Sequence, residues 1–439
     1  MNKKINLAVA SAALVLGASA ANAGIVIPAG EWTMDINGNV NAYASTHSAD
    51  DTAVITGGTA AVKDINGEAD SQGINTGLLP SWLGFTGTTR QNDLDVSFTI
   101  SFQPNASDNS LTGDSKTPLN RQAFLTFGDK SWGTVKMGKD LGIFAADAIL
   151  NDMTLLGVGS SAITGSQKSG GSTSLGGIGT GYIYPAWKGQ VAYTTPNMNG
   201  FQATIGITNP NGSTLGGAAY QDSFGFEGKA SYDFAAGDAK GKVWVSGAAY
   251  DVTTAQVNAA AATTTSIVYS IVTALSGVGA THSGEVTVIH TTAEAIAAVA
   301  SVSYDATVAD IGANINLGNF GLTGYYYGGE GVGTTFFGAN GATAAGLERD
   351  SDGGYVQATF VIPSGTKLGA SYGVSKLDLA SGEATSALVE ENKRWTVGAY
   401  HPLTKHLNLV AEYNKIEAES HNNLKAESDS FSLGAILFF

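Results

Sequence analysis

The sequence predicts an all-β protein, a transmembrane antiparallel β-barrel of 16 strands with short periplasmic turns and long extracellular loops. Three observations support this prediction. Segments of about ten residues alternate apolar and polar side chains, which is the period of a strand and the length that a tilted strand needs to cross a bilayer. The connections between these segments alternate short and long. Charged residues make up only 13% of the chain, about half the usual share.

The beginning of the chain indicates export. A basic start is followed by an apolar stretch over 5–17 and by an Ala-x-Ala motif that ends at Ala23. These are the three parts of a secretory signal peptide, and the apolar stretch is too short to span a bilayer as a helix. We therefore predict a signal peptide over residues 1–23 and a single barrel domain over residues 24–439.

The strand pattern is clearest in "LDVSFTISFQ", which begins at Leu94. Every second residue there is apolar, and the residues between them are Asp, Ser, Thr and Gln. Such a strand places one face against an apolar medium and the other against a polar one. Sixteen segments follow this pattern, near 31–46, 78–90, 93–103, 119–128, 132–139, 188–196, 200–209, 222–234, 241–251, 303–317, 320–328, 352–362, 366–376, 391–401, 406–416 and 428–439.

The connections distinguish a membrane barrel from a secreted sandwich. In a transmembrane barrel short turns face the periplasm and long loops face outward, so the two lengths alternate. Short connections here include "QND", "PNMNG" and "PSG". The stretch 252–302 could instead contribute two further strands, which would make eighteen. The long connections are 47–77, 104–118, 140–187, 209–221, 252–302, 328–351, 376–390 and 416–428.

The last ten residues, "SFSLGAILFF", keep the strand period to the final residue. Phe431, Leu433, Leu437 and Phe439 all fall on one face. We expect this face to contact outer-membrane lipid, and the last strand to close the barrel against the first. Closure would satisfy the backbone hydrogen bonds in a medium without water.

Composition argues against several other classes of protein. The formal net charge of −15 lacks the basic footprint of a nucleic-acid-binding protein. The chain has no cysteine, so disulfides and thiolate chemistry are excluded. We expect no histidine on an inward strand position beside a serine, and no histidine pair has metal-ligand spacing with carboxylate support. We therefore predict no enzymatic activity, no cofactor and no metal.

Three longer stretches resemble a known family. They are "NRQAFLTFGDKSWGTVKMGKD" (120–140), "VAYTTPNMNGFQATIG" (191–206) and "WTVGAYHPLTKHLNLVAEY" (395–413). Together and in this order they resemble the general porins of Gram-negative outer membranes. The resemblance implies a water-filled channel in the cell outer membrane for passive diffusion of ions and small hydrophilic solutes. It also implies a homotrimer, and recognition of the terminal Phe439 by the barrel-assembly machinery.

The same resemblance implies that the third long loop, loop 3 (140–187), folds into the lumen. Asp147 and Asp152 are the only acidic residues between 141 and 187, so they are predicted constriction carboxylates. Alternatively, these residues cap or solubilise a short helical turn, since Asp147 and Asn151 are four residues apart.

Cations are expected opposite these carboxylates. Val135 and Met137 face lipid on either side of Lys136, and Trp395 and Val397 face lipid after Arg394. Strand parity therefore turns Lys136 and Arg394 into the lumen.

Arg121 and Lys139 join the predicted constriction through the resemblance alone. The chain departs from the family at Trp82, where "SWLGF" replaces a stretch that usually carries Arg, and this removes one reason to expect anion preference.

Parity also places Lys229, Lys367 and Glu412 inside the barrel. Tyr325 and Tyr327 fall on the inward face as well, which leaves a substrate-selective channel as an alternative to a general diffusion channel. A surface structural or adhesion barrel is a third reading. The predicted long loops hold most of the excess negative charge, and a mouth of one sign concentrates the opposite ion. We therefore expect a mild preference for cations at low salt.

Overall fold

A computed structural model describes residues 24–63, 66–104, 106, 119–160, 173–209, 219–220, 223–254, 264–266, 290–292 and 301–439. The predicted signal peptide, residues 1–23, lies outside the described residues. No helix in the described part of the chain has the length and apolar character needed to cross a membrane.

The described residues form twenty-one strands. In chain order these are β1 (Ile25–Ala29), β2 (Trp32–Ala49), β3 (Asp70–Asn75), β4 (Trp82–Gln91), β5 (Leu94–Gln103), β6 (Leu119–Asp129), β7 (Gly133–Leu141), β8 (Trp187–Thr194), β9 (Phe201–Thr208), β10 (Ala219–Tyr220), β11 (Gly225–Ala236), β12 (Ala239–Thr254), β13 (Thr264–Ser266), β14 (His290–Thr292), β15 (Ser303–Leu317), β16 (Phe320–Glu330), β17 (Asp350–Val361), β18 (Lys367–Leu377), β19 (Val389–Pro402), β20 (Leu407–Ser420) and β21 (Lys425–Phe438).

Sixteen of these strands form a closed antiparallel barrel, as the sequence predicts. Each pairs with its neighbours in chain order, and β2 closes the ring by pairing with β4 on one side and β21 on the other. The last residue completes the seam, because Gly38 and Phe439 exchange backbone hydrogen bonds of 2.8 and 3.0 Å. Within the described part of the 252–302 stretch, β13 pairs only with β14, in a separate sheet. The alternative of an eighteen-stranded barrel is therefore wrong.

The remaining strands extend the barrel at its edges. β1 pairs with the first residues of β2, beside the end of β21, and β3 pairs with the upper part of β2 above β4. The predicted second strand near 78–90 begins only at Trp82, because the preceding residues turn into the lumen. There the Leu78 N–H donates to the carbonyl of Gly157 in loop 3 at 2.9 Å.

The two faces of each strand differ in the way that the alternation predicts. On β20, Leu409 and Tyr413 point outward and are 40% and 45% exposed, whereas Glu412 and Asn414 point inward and are fully buried. A barrel this wide would leave space along its axis. Loop 3 connects β7 to β8 over 142–186, slightly shorter than the predicted 140–187. Its described residues enter that space and pack their apolar side chains against inward-facing aromatic residues.

Candidate functional site

Loop 3 crosses the lumen from β7 to the opposite wall and returns to β8. Its described residues are 142–160 and 173–186, and they include α1 (Ala146–Asn151) and a 3₁₀ helix (Met153–Leu156). The Tyr43 hydroxyl of β2 donates to the Leu156 carbonyl at 2.7 Å. Gln357 of β17 accepts from the Met153 N–H at 2.9 Å. The wall thus offers partners for the backbone groups that a buried loop must satisfy.

Glu227 of β11 holds the beginning of loop 3. One oxygen, Oε2, accepts the backbone N–H groups of Ile143 and Phe144 at 2.5 and 3.0 Å. The other, Oε1, accepts from Lys188 Nζ at 2.7 Å and from the Tyr250 hydroxyl. We call this arrangement the first anchor. It is buried, and it combines a charge-assisted hydrogen bond with an ion pair.

Glu412 of β20 holds loop 3 farther along in the same way. Its Oε2 accepts the N–H groups of Val158 and Gly159, both at 2.8 Å, and its Oε1 accepts the Tyr400 hydroxyl at 2.6 Å. A Cβ on Gly157 would lie 2.0 Å from Oε1, so this close approach requires glycine. We call this arrangement the second anchor.

Asp147 lies in the first turn of α1 and joins loop 3 to two lysines of the wall. Its carboxylate oxygens contact Lys229 Nζ at 2.9 Å and Lys242 Nζ at 2.7 Å. Burial alone would raise the pKa of Asp147, but the two lysines outweigh it and hold the pKa below its usual value. The carboxylate is therefore ionised, and each lysine remains about a quarter exposed.

Asp152 begins the 3₁₀ helix and meets the predicted cation Arg394. Its Oδ1 accepts the Thr154 N–H, which caps the helix, and its Oδ2 accepts the Tyr182 hydroxyl, both at 2.9 Å. Burial and the neighbouring carboxylate raise the pKa of Tyr182 well above its usual value, so the phenol remains a donor. Arg394 Nη2 lies 3.6 Å from Oδ2. Asp152 thus combines the capping role and the cation contact that the sequence left as alternatives.

Lys136 faces the lumen from β7, as strand parity predicts. Its Nζ contacts Asp140 Oδ2 at 2.5 Å and lies 5.2 Å from the centre of the Phe124 ring. Its side chain is 26% exposed, so the lysine contacts the carboxylate and remains partly accessible from the lumen.

The two predictions that rest on the resemblance alone differ in outcome. Arg121 lies at a β-bulge, since Ser101 pairs with Gln122 while Phe102 pairs with Asn120. A bulge breaks the side-chain alternation, and the charge of Arg121 accordingly acts on Tyr184 in loop 3.

Lys139 is not gathered with the other predicted constriction residues. It shares the outward face of β7 with Met137, its side chain is exposed, and its Nζ donates to the Asn120 carbonyl at 3.0 Å. Strand parity, applied strictly, indicates this outward position.

Sequence reasoning missed Lys188, Glu227 and Lys242. Parity would have found them, because Val243 and Val245 face outward and thereby turn Lys242 inward. What parity does not give is the partner of each group, which depends on where loop 3 lies.

Tyr325 and Tyr327 point inward but do not form an open aromatic surface. Both are buried beneath the loops, and the Tyr325 hydroxyl donates to Asp310 at 3.1 Å. His47 lies on β2 next to Ser48, points inward and is buried, so the expectation that no histidine takes an inward strand position beside a serine is wrong. In the described residues, no group of His, Cys, Asp or Glu side chains is arranged to hold a metal ion.

Comparisons with known proteins agree with this geometry. The profile of a family described as Gram-negative porin matches residues 10–421. Among solved structures, the outer-membrane channel DcaP of Acinetobacter baumannii is 13% identical, with 95% of this chain and 100% of that chain covered and a TM-score of 0.58. The trimer form of the outer-membrane protein OmpT of Vibrio cholerae is 15% identical, with 93% and 99% covered and a TM-score of 0.52.

A third structure is that of OmpF of Salmonella typhi in complex with daunomycin. It is 14% identical, with 94% of this chain and 100% of that chain covered and a TM-score of 0.54. A search of curated protein sequences finds no significant match. At these identities the structural likeness supports the fold alone.

Proposed function

Because the chain belongs to the Gram-negative porin family, it is an outer-membrane channel for passive diffusion of small solutes, and we propose that its constriction is charge-compensated and weakly selective. The family and fold are typical of channels that do not catalyse reactions. The observation that supports the proposal is the set of ion pairs at loop 3. They join Asp147 to two lysines, Lys136 to Asp140, and Lys188 to Glu227.

The proposed constriction comprises loop 3 and the charged wall residues around it. A compensated interior leaves the sign of selectivity to the outer mouth, which is acidic. A mouth of one sign raises the local concentration of the opposite ion, so we expect mild cation preference. The constriction residues are Arg121, Lys136, Asp147, Asp152, Lys229, Lys242 and Arg394, with Lys139 left out because it faces outward. Exposed acidic residues at the mouth include Asp50, Glu68, Asp70, Glu330, Asp350, Asp378 and Glu390.

Recording from single channels in planar bilayers tests this proposal. We expect an ohmic channel whose reversal potential in a KCl gradient lies on the cation side at low salt. The preference should fade near 1 M salt, where the screening length falls to about 3 Å. A channel that prefers chloride at low salt would contradict the proposal, and a protein that inserts without conducting would support a structural or adhesion barrel instead.

The variant Asp147→Asn tests the compensated constriction directly. It leaves Lys229 and Lys242 without their shared carboxylate, so the reversal potential should move toward the anion side. The matched control is Asp251→Asn, which removes the same charge from an exposed outward position. An equal shift in both variants would mean that only total charge matters and that Asp147 has no special place in the path.

The substrate-selective alternative has its own readout. Saturable block of the KCl current by one sugar or organic ion, and not by others of similar size, would favour it. The burial of Tyr325 and Tyr327 gives no open aromatic surface along which a sugar would slide. We therefore expect no such block.

The assembled form proposed for the protein is a homotrimer. Porins assemble as homotrimers, and the Vibrio cholerae protein of similar fold exists in a trimer form. Mass measurement of the protein extracted in mild detergent gives the copy number. A monomer under those conditions would contradict the proposal.

We also propose that residues 1–23 are removed on export and that Phe439 is recognised by the barrel-assembly machinery. The Phe439 ring lies against Gly38, because a Cβ added to Gly38 would lie 2.8 Å from Cζ of Phe439. Deleting Phe439 should lower the amount of protein in the outer membrane but leave the single-channel conductance of inserted molecules unchanged. Normal levels of the truncated protein would argue against recognition, and an intact mass that includes residues 1–23 would argue against cleavage.

A further inference from the structure

We propose that a buried polar site on the inner wall of β19, β20, β21 and β2 binds a small oxyanion. The site centres on four inward residues that lie side by side on adjacent strands. Thr396 pairs with Asn414, Asn414 with Ser430, and Ser430 with His47. We call these four residues the polar row. All four are at least nine-tenths buried.

A chain of hydrogen bonds fixes the orientation of the row. Arg394 Nη1 donates to Thr396 Oγ1 at 3.0 Å. The Thr396 hydroxyl must then direct its own hydrogen elsewhere, and it donates to Asn414 Oδ1 at 2.5 Å. The Asn414 amide therefore turns its Nδ2 away from Thr396. Among the described residues this Nδ2 has no hydrogen-bond partner, although it is fully buried.

Arg394 supplies a charge and a second donor without a partner. Its side chain is 1% exposed, and its Nε finds no partner in the described part of the chain. Asp152 does not fill this need, because its two oxygens accept from Thr154 and Tyr182 and its Oδ2 lies 3.6 Å from Nη2. A buried guanidinium with a free N–H is costly, since buried polar groups are almost always hydrogen-bonded.

Loop 3 approaches the same place from the lumen side. A Cβ on Gly159 would lie 2.8 Å from Arg394 Nη1, and a Cβ on Gly177 would lie 2.9 Å from Nη2. These two glycines let the loop backbone come close to the guanidinium. The next residue, Ser160, is buried and its hydroxyl has no partner among the described residues.

The unpartnered atoms determine the class of ligand. Arg394 Nε and Asn414 Nδ2 can only donate, and the hydroxyls of Ser160 and Ser430 can donate as well. His47 Nε2 is also unpartnered among the described residues, and it can donate in one tautomer. The ligand must therefore present several acceptor oxygens.

The guanidinium favours a negative charge, against the opposing charges of Asp152 at 3.6 Å and of Glu412, so a singly charged anion fits better than a multiply charged one. A planar oxyanion of the size of nitrate meets both requirements. This site is separate from the weak cation preference proposed above, which arises at the mouth and is measured by the reversal potential.

Thermal unfolding of the full-length protein in detergent, with sodium nitrate as the probe, tests the site. Nitrate is useful because, unlike sulfate and phosphate, it is not among the excluded anions that stabilise proteins in general. We expect a saturable rise in the unfolding midpoint, of about 2 °C or more at high occupancy. Asn414→Asp should abolish the rise, because it replaces the donor by a carboxylate of the same shape.

Asn408→Asp is the matched control, since Asn408 is a buried inward asparagine near the periplasmic end of the same strand. It should keep the full response to nitrate. If Asn414→Asp fails to fold, Arg394→Lys is the second variant, because it keeps the positive charge but lacks the Nε donor. It should weaken the nitrate-dependent rise in the unfolding midpoint at least several-fold. The absence of a saturable rise would mean that water alone occupies the site and would overturn the proposal. So would an equal response in the Asn414 and Asn408 variants.

Discussion

The two anchors of loop 3 have the same geometry but different electrostatics. In each, one carboxylate oxygen accepts two consecutive backbone N–H groups and the other accepts a tyrosine hydroxyl. Only the first anchor adds a lysine, since Lys188 Nζ lies 2.7 Å from Glu227 and both side chains are buried. Among the described residues no cation lies within ion-pair distance of Glu412, although Arg394 and Lys367 interact with its charge from farther away. The two glutamates therefore bind the backbone of loop 3 with the same geometry, although different charges surround their carboxylates.

This difference predicts how much stability the protein loses when the carboxylate of each anchor is replaced by a neutral group. Breaking a buried ion pair leaves a charge without a partner in a medium of low polarity. Breaking a hydrogen bond to a carboxylate leaves only neutral N–H groups unsatisfied, and the penalty is smaller. The first anchor should therefore be the more sensitive to removal of its carboxylate charge.

The largest effect is expected for Glu227→Gln. The variant leaves Lys188 charged, buried and unpaired, so the free energy of unfolding should fall by about 3–5 kcal/mol. Urea titration of the protein folded into lipid vesicles measures the loss. A loss of stability no greater than that of Glu412→Gln would show that the buried lysine does not make the first anchor more sensitive.

Removing the lysine as well should recover part of this loss. In the double variant Glu227→Gln with Lys188→Met, no charge is left buried, and about 1–4 kcal/mol should return relative to Glu227→Gln alone. The same titration provides the measurement. If the double variant is no more stable than the single one, the penalty arises from the backbone contacts and the lysine is incidental.

Glu412→Gln should have a smaller effect, of about 1–3 kcal/mol, because it weakens hydrogen bonds to two N–H groups and breaks no ion pair at contact distance. Its clearer signature is functional. Loop 3 loses a contact at Val158 and Gly159, so the single-channel current should become noisier while the reversal potential stays unchanged. A quiet channel with parental conductance would show that the other wall contacts suffice.

A third carboxylate, Glu383, lies at the mouth and provides a less deeply buried ion pair with which the two anchors can be compared. Glu383 forms a bidentate pair with Arg349 at 2.5 and 2.8 Å. The Arg349 hydrogen bond holds the pKa of Glu383 below its usual value of 4.5. A lowered pKa means that the stabilisation is present above 4.5 and disappears as the pH falls through the folded-state value.

The magnitude at the mouth should be smaller than at the first anchor, about 1 kcal/mol, because the Glu383 side chain is 18% exposed and water screens part of the interaction. The difference in unfolding free energy between the parent and Glu383→Gln should therefore be largest at pH 7 and decrease as the pH is lowered below 4.5. A difference that does not change with pH would show that the pair acts through packing and not through charge.

How far the sequence predicts this molecule depends on which contacts are local. Strand alternation fixes which side chains point inward, and it correctly turned Lys136 and Arg394 into the lumen because their apolar neighbours face outward. The same alternation gives Lys242 and Glu227, which were overlooked. Such information lies in residues one or two positions apart.

The partners of these residues are not local. Lys242 meets Asp147 across 95 positions of the chain, and Glu412 meets Gly159 across 253. No periodicity specifies such contacts, since they depend on how loop 3 packs. Arg121 shows a second limit, because a single inserted residue in β6 breaks the alternation that parity relies on.

The seam between Gly38 and Phe439 has a consequence for how quickly the barrel forms. These residues lie at opposite ends of the barrel domain, so their pairing closes a loop of almost the whole domain, and contacts of such separation form slowly. Until the final residue is in place, β2 and β21 each present an open edge that can pair with another chain. We therefore expect the chain to aggregate most readily just before β2 and β21 pair. The yield of folded protein should depend more on keeping these two edges from pairing with other chains than on how fast any single strand forms.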